Sequence, residues 1–141
     1  PLLAAVLEAV GQTPLLVKIA PDLTDDEVRK VSNLAVDLGL AGIIATNTTL
    51  SREGLKESAE RVANIGAGGL SGRPLKARSE SILAVIRATV PRDFCVISVG
   101  GVETADDVAA RLKAGATLVQ GYSAFVYWGP SWVRAINRGL S

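Results

Sequence analysis

The chain has one cysteine, Cys95, among 141 residues, so no disulfide can form within it. That residue sits in the apolar run Phe94-Cys95-Val96-Ile97, the setting of a packed, inert thiol and not of a reactive one. Aromatic residues are scarce at 4%, and the apolar residues, 48% of the total, are mostly Ala, Val, Leu and Ile. Such a composition suits parallel strands buried on both faces under helices, and a chain this long can fill one core, so a single α/β unit is expected. No apolar run approaches the roughly 20 residues that cross a bilayer, and no charged-then-apolar leader opens the chain, so a soluble, intracellular chain is expected. Excess charge is lacking too. The net charge is +1 and the basic residues are scattered, apart from the short group Arg73, Lys76 and Arg78, so nucleic acid is not an expected partner.

Four short runs rich in β-branched residues read as strands, at 15–20, 42–47, 95–100 and 118–123. Helix-period segments separate them, the alternation that builds a parallel sheet. Thr24 and Glu27 form a capping box ahead of the apolar stripe Val28, Val31, Leu34, Ala35 and Leu38, and Gly39 can adopt the left-handed conformation that ends the helix. A second helix is predicted over 75–89, with Ile82, Leu83, Val85 and Ile86 inward and Pro91 after its end. A third starts at the N-cap Thr104, carries Asp106 and Asp107 in its first turn and stops at Gly115. The last begins near Pro130 and carries Trp132, Val133 and Ile136. The opening residues 2–7 read as the middle of a helix without a cap, and Pro1 is no initiator methionine, so the natural protein is expected to start upstream. Four β/α units cannot close a barrel of eight, and periodicity alone does not choose between half a barrel and a small doubly wound sheet.

Residues 48–74 form a stretch far longer than the usual two to six residues of a β/α loop, which marks a functional loop. Its Gly66, Gly68, Gly69 and Gly72 would let backbone approach a ligand. Val99-Gly100-Gly101-Val102 ends the third strand and Gly121-Tyr122-Ser123 ends the fourth. In a (β/α)₈ barrel those two loops hold phosphate through backbone N–H groups, which a side chain would keep out of reach; alone, a Gly-Gly pair is as readily a turn. Lys18, flanked by Val17 and Ile19, is either a lysine reaching water at a strand mouth or a cation that needs an anionic partner such as a reduced flavin. Thr46-Asn47-Thr48-Thr49 closes the second strand. An Asn offers donor and acceptor together to a planar ligand, although Asn and Thr also end strands through bonds to their own backbone.

Taken in order, Val17-Lys18-Ile19-Ala20-Pro21-Asp22-Leu23, Thr46-Asn47-Thr48-Thr49, Gly68-Gly69-Leu70-Ser71-Gly72-Arg73-Pro74-Leu75, Val99-Gly100-Gly101-Val102 and Tyr122-Ser123 resemble the dihydroorotate dehydrogenases. The Gly-Leu-Ser-Gly-Arg-Pro-Leu wording and the Trp128-Gly129-Pro130 ending are most similar to the quinone-linked class. The resemblance implies the C-terminal half of an FMN-binding (β/α)₈ barrel, one partial domain over 1–141. It implies that Lys18 and Thr46 contact the isoalloxazine ring of FMN, that Ser71 and Gly72 approach the flavin, and that Asn47 and Thr48 bind dihydroorotate or orotate. Gly100, Gly101, Tyr122 and Ser123 would hold the FMN phosphate. Many relatives carry leucine and threonine where this chain has Gly121 and Ser123, and serine keeps the hydroxyl.

The implied reaction is oxidation of dihydroorotate to orotate in pyrimidine biosynthesis. A base takes the C5 proton, hydride leaves C6, and a quinone is the final acceptor. The family's base, a serine in the quinone-linked class or a cysteine in the soluble one, stands on a loop of the barrel's first half. None of Ser51, Ser71 or Cys95 occupies that place, so no catalytic base is assigned and no turnover is expected of this chain alone. The resemblance also implies a peripheral location on the cytoplasmic face of the inner membrane, through an N-terminal segment that this chain lacks. Alternatives are a soluble-class dihydroorotate dehydrogenase, a dihydropyrimidine dehydrogenase domain, or a non-catalytic half-barrel that binds FMN or phosphate and associates through its unpaired sheet edges. A thiazole or indole synthase barrel would explain Gly100-Gly101 but not the other tracts.

Overall fold

A computed structural model describes residues 2–141. In chain order the elements are α1 (Leu2–Val10), β1 (Leu16–Ile19), α2 (Asp25–Asp37), β2 (Gly42–Ala45) and α3 (Ala59–Ile65). A 3₁₀ turn (Arg73–Leu75) then runs into α4 (Lys76–Arg87), followed by β3 (Cys95–Val99), α5 (Ala105–Lys113), β4 (Leu118–Gln120), α6 (Ser123–Trp128) and α7 (Ser131–Gly139). The four strands form one parallel sheet in the order β1-β2-β3-β4. The expected class is therefore observed: four parallel β/α units, half the count of a (β/α)₈ barrel.

Local chemistry sets the helix starts. The Thr24 hydroxyl accepts from the Glu27 N–H while the Glu27 carboxylate accepts from the Thr24 N–H at 2.8 Å, and Thr104 and Asp107 repeat the arrangement at the head of α5. Each such box stabilises its helix by about 1 kcal/mol. Gly39 and Gly115, at φ +70° and +100°, end α2 and α5 where a side chain would be strained.

One face of the sheet packs against α2 and α4 through Ile19, Val28, Ala35, Ile43, Ala45, Ile82, Leu83, Ile86 and Val96, all buried. A smaller cluster of Val102, Val108 and Ile136 joins α5 to α7, with Trp132 against it. The other face carries the register row Lys18, Ile44, Ile97 and Leu118, whose outer members are exposed and inner members half-buried. It is the face that a complete barrel would turn inward.

Some expectations are corrected. The fourth strand was expected to reach Ser123, but its pairing with β3 stops at Gln120, and Tyr122, at φ −128° and ψ −63°, leaves the extended conformation so that Ser123 opens α6. The long loop contains a helix, α3, whose N-cap Ser58 accepts from the Arg61 N–H and which buries none of its residues. Leu34 and Val133 are exposed; each lies at the margin of its apolar stripe, beyond the reach of the core. Cys95 is free but only half-buried, at the start of β3.

Candidate functional site

Ile19, Ala45, Val99 and Gln120 end the four parallel strands side by side, and the loops leaving them wall a cleft of about 570 Å³. Lys18, Thr46, Asn47, Thr48, Ser71, Gly72, Gly100, Gly101, Tyr122 and Ser123 all line it. Of the residues considered and set aside as bases, Cys95 lies at the opposite end of its strand, Ser51 lines a separate pocket and Ser71 is in the cleft.

Gly100 and Gly101 are buried at the base of the cleft with φ of +121° and +69°. Their N–H groups donate to nothing among the described residues. A Cβ on Gly101 would stand 2.6 Å from Lys76 Cβ and 2.7 Å from its Cα and N, so the loop lies flush against the start of α4. The Gly100 carbonyl accepts from the Arg111 guanidinium at 2.6 Å and from the Ser79 hydroxyl at 2.9 Å. On the facing loop, a Cβ on Gly121 would stand 2.2 Å from the Trp132 ring, and the Trp132 Nε1–H donates to the Glu103 carbonyl at 2.7 Å. One indole thus spans both loops. Tyr122 lines the cleft while 74% of it stays exposed.

Lys18 and Glu103 are the charged residues of the lining. Glu103 is tied to Arg73 at 2.6 Å, while Lys18, exposed into the cleft, pairs with no carboxylate among the described residues. Solvent supports its charge in the absence of an anion, so its position carries no burial cost. Thr46 is buried and its hydroxyl donates to the Asn47 carbonyl at 3.0 Å, a strand-ending role. Asn47 is exposed; its Oδ1 accepts from the Thr48 N–H at 2.9 Å, and its side-chain NH₂ has no partner among the described residues.

The long loop is fastened at its base. Thr49 and Leu70 exchange backbone hydrogen bonds of 3.1 and 2.8 Å, so residues 50–69 leave and return at one point. The Asp22 carboxylate accepts from the Thr49 hydroxyl and the Leu50 N–H, and Arg52 donates to the carbonyls of Thr49, Leu50, Ser51 and Gly68. Past the bridge, the Ser71 and Ser123 hydroxyls lie 2.9 Å apart and join the loop to the start of α6.

Sequence reasoning missed Arg111, Ser79, Ser98, Asp22, Arg52 and the spanning role of Trp132. Only Arg111 left a trace: with Asp107 and Val108 it falls on the inward stripe of α5, where an arginine is out of place.

Asp107 anchors the same region, accepting from Lys76 Nζ and from the N–H groups of Glu103 and Thr104. Burial by itself would raise its pKa, but these bonds outweigh it and hold the carboxyl at about 2 against an ordinary 3.8. A carboxylate with a depressed folded-state pKa stabilises the fold above its unfolded value, and that contribution is lost as pH falls through the folded value, here between about pH 4 and pH 2. Asp107→Asn is therefore expected to lower stability at pH 7 by about 2 kcal/mol. In urea unfolding, the variant should also show a flatter pH dependence across that window. An unchanged slope would remove Asp107 from the account.

A family model described as dihydroorotate dehydrogenase matches residues 1–141. Among curated proteins, the dihydroorotate dehydrogenase (quinone) of Leifsonia xyli subsp. xyli is 66% identical over all of this chain, and that of Clavibacter sepedonicus is 59% identical over the same span. The chain covers 41% of each, so it spans about two fifths of the length of these relatives. Among solved structures, DHODH from Eimeria tenella in complex with ferulenol superposes with a TM-score of 0.81 at 40% identity, over 92% of this chain and 35% of that one. The ligand-free form from the same organism gives 0.82.

Proposed function

The chain belongs to the dihydroorotate dehydrogenase family, and from that membership we propose that it is the C-terminal half-barrel, a single partial domain over 1–141, of a quinone-linked enzyme. The enzyme oxidises dihydroorotate to orotate in pyrimidine biosynthesis with FMN as cofactor and a quinone as final acceptor. It is peripheral to the cytoplasmic face of the inner membrane, held by a segment outside this chain. No helix among the described residues is long and apolar enough to cross a membrane.

The observation that carries the reading is the convergence of the two glycine loops, Lys18 and Asn47 on one cleft. The cleft fits FMN: its base offers backbone N–H groups without acceptors, at glycines where a Cβ would have no room, and its wall carries a lysine without a counter-anion. Gly100, Gly101 and the backbone of Tyr122 and Ser123 would hold the phosphate, as N–H groups suit a dianion. Lys18 and Thr46 would lie against the ring system, while Ser71 and Gly72 cover it from the long loop. Bound FMN supplies a two-electron acceptor for the hydride that leaves C6. Lys18 favours negative charge at the ring, and the free NH₂ of Asn47, with Thr48, orients the pyrimidine's carbonyl and N–H edge. The base that takes the C5 proton lies outside this chain.

The full-length natural protein is expected to purify with FMN bound. Anaerobic addition of dihydroorotate should bleach the flavin absorbance, and a soluble quinone should restore it where fumarate and NAD do not. A flavin that dihydroorotate leaves oxidised would overturn the reading, and recovery with fumarate or NAD would move the protein to the soluble class.

A further inference from the structure

Beneath the glycine pair lies a group to which the function just described gives no part. Arg111 is 1% exposed and is the largest fully buried side chain among the described residues. One terminal nitrogen donates to Ser98 Oγ at 2.6 Å, and the other donates to Ser79 Oγ at 2.8 Å and to the Gly100 carbonyl at 2.6 Å. The nearest carboxylate, that of Glu80, is 3.9 Å away on a partly exposed side chain, and Arg111 Nε has no partner. A cation has thus been taken out of water with neutral oxygens as its hydrogen-bond partners, and Glu80 and Asp107 offset its charge only from outside hydrogen-bonding contact, an arrangement that desolvation opposes. Burial accordingly pulls the Arg111 pKa down from its ordinary value.

The peptide geometry says what this achieves. In a trans peptide the C=O of one residue and the N–H of the next point in opposite directions. With the Gly100 oxygen drawn inward onto Arg111 and Ser79, the Gly101 N–H is turned outward to the cleft, where nothing among the described residues accepts from it. A donor at the carbonyl end also polarises the peptide and strengthens its N–H as a donor.

We propose that Arg111 is the positioning residue of the anion site: it aims the Gly101 N–H at the cleft, and its buried charge is balanced when a phosphate monoester dianion is held there. The proposal rests on the reading of the cleft as an FMN site. It goes further by assigning the phosphate's hold to a side chain that does not touch it.

The test compares FMN with riboflavin, which lacks the phosphate, by quenching of flavin fluorescence on the full-length apoprotein. Arg111→Met is expected to weaken FMN by about thirtyfold while riboflavin stays within about threefold, the size of one lost charge-assisted interaction. Arg111→Lys, which keeps the charge and a donor, should recover most of the preference. Equal losses for both flavins would reduce Arg111 to a structural role and overturn the proposal. If Arg111→Met does not fold, Ser79→Ala decides: removing the other donor to Gly100 should cost FMN about threefold selectively, and no selective loss overturns the proposal. A wild-type apoprotein that binds the two flavins equally would instead sink the FMN reading itself, before any variant is compared.

Discussion

Gly101→Ala is expected to lower stability by about 4 kcal/mol and to leave the purified protein without FMN. Two effects add. Alanine at φ +69° carries the cost of the left-handed conformation, about 1 kcal/mol, and its Cβ would meet the Lys76 backbone at 2.7 Å, where no side-chain rotation relieves the contact. The loop or the start of α4 must then move, and the Gly101 N–H moves with it. Gly54 provides the control, because at φ +72° nothing lies within 4 Å of a Cβ built there. Gly54→Ala should cost only the conformational part, about 1 kcal/mol, and retain flavin. Denaturant midpoints and flavin-to-protein absorbance ratios of the two variants decide the matter. Equal losses would show that the approach to Lys76 has no weight.

Gly121→Leu should cost about 3 kcal/mol, from overpacking against the indole and loss of the Trp132 to Glu103 hydrogen bond. Gly121 has no positive φ, so its backbone would accept a side chain; Trp132 occupies the space. The ring cannot step aside freely, since its Nε1–H is held by the Glu103 carbonyl. The bare glycine at 121 is therefore matched by a tryptophan eleven residues further on, near the start of α7. Trp132→Val in the Gly121→Leu background should recover stability, with a coupling of about 2 kcal/mol in the four-protein cycle. Additive losses would mean that the two positions do not share the space.

Much of the frame was legible in the chain because its causes are local. Thr24 and Glu27, or Thr104 and Asp107, meet within one helical turn, so spacing announces the cap before any packing is known. Eight of the ten cleft residues were legible because they lie at or just beyond strand ends, which parallel pairing brings to one edge, whereas Ser71 and Gly72, in the long loop, were legible as flavin contacts only through the family resemblance. The helix in the long loop was not legible, since α3 has no buried stripe to set a period. Nor was α6, where a run of β-branched and aromatic residues reads equally well as strand.

The sequence by itself determined the α/β alternation, the caps, the glycine positions and which strand ends bear polar groups, because each depends on residues within a few positions of one another. Tertiary structure decided the rest. Arg111 meets Ser98 and Ser79 across 13 and 32 residues of chain, Ser71 meets Ser123 across 52, and the space a side chain at Gly121 would need is filled by a ring on α7. Such contacts exist only after the sheet has brought remote segments together. An arginine on an inward stripe becomes a buried cation beneath a glycine loop only when α4, β3 and α5 close around it.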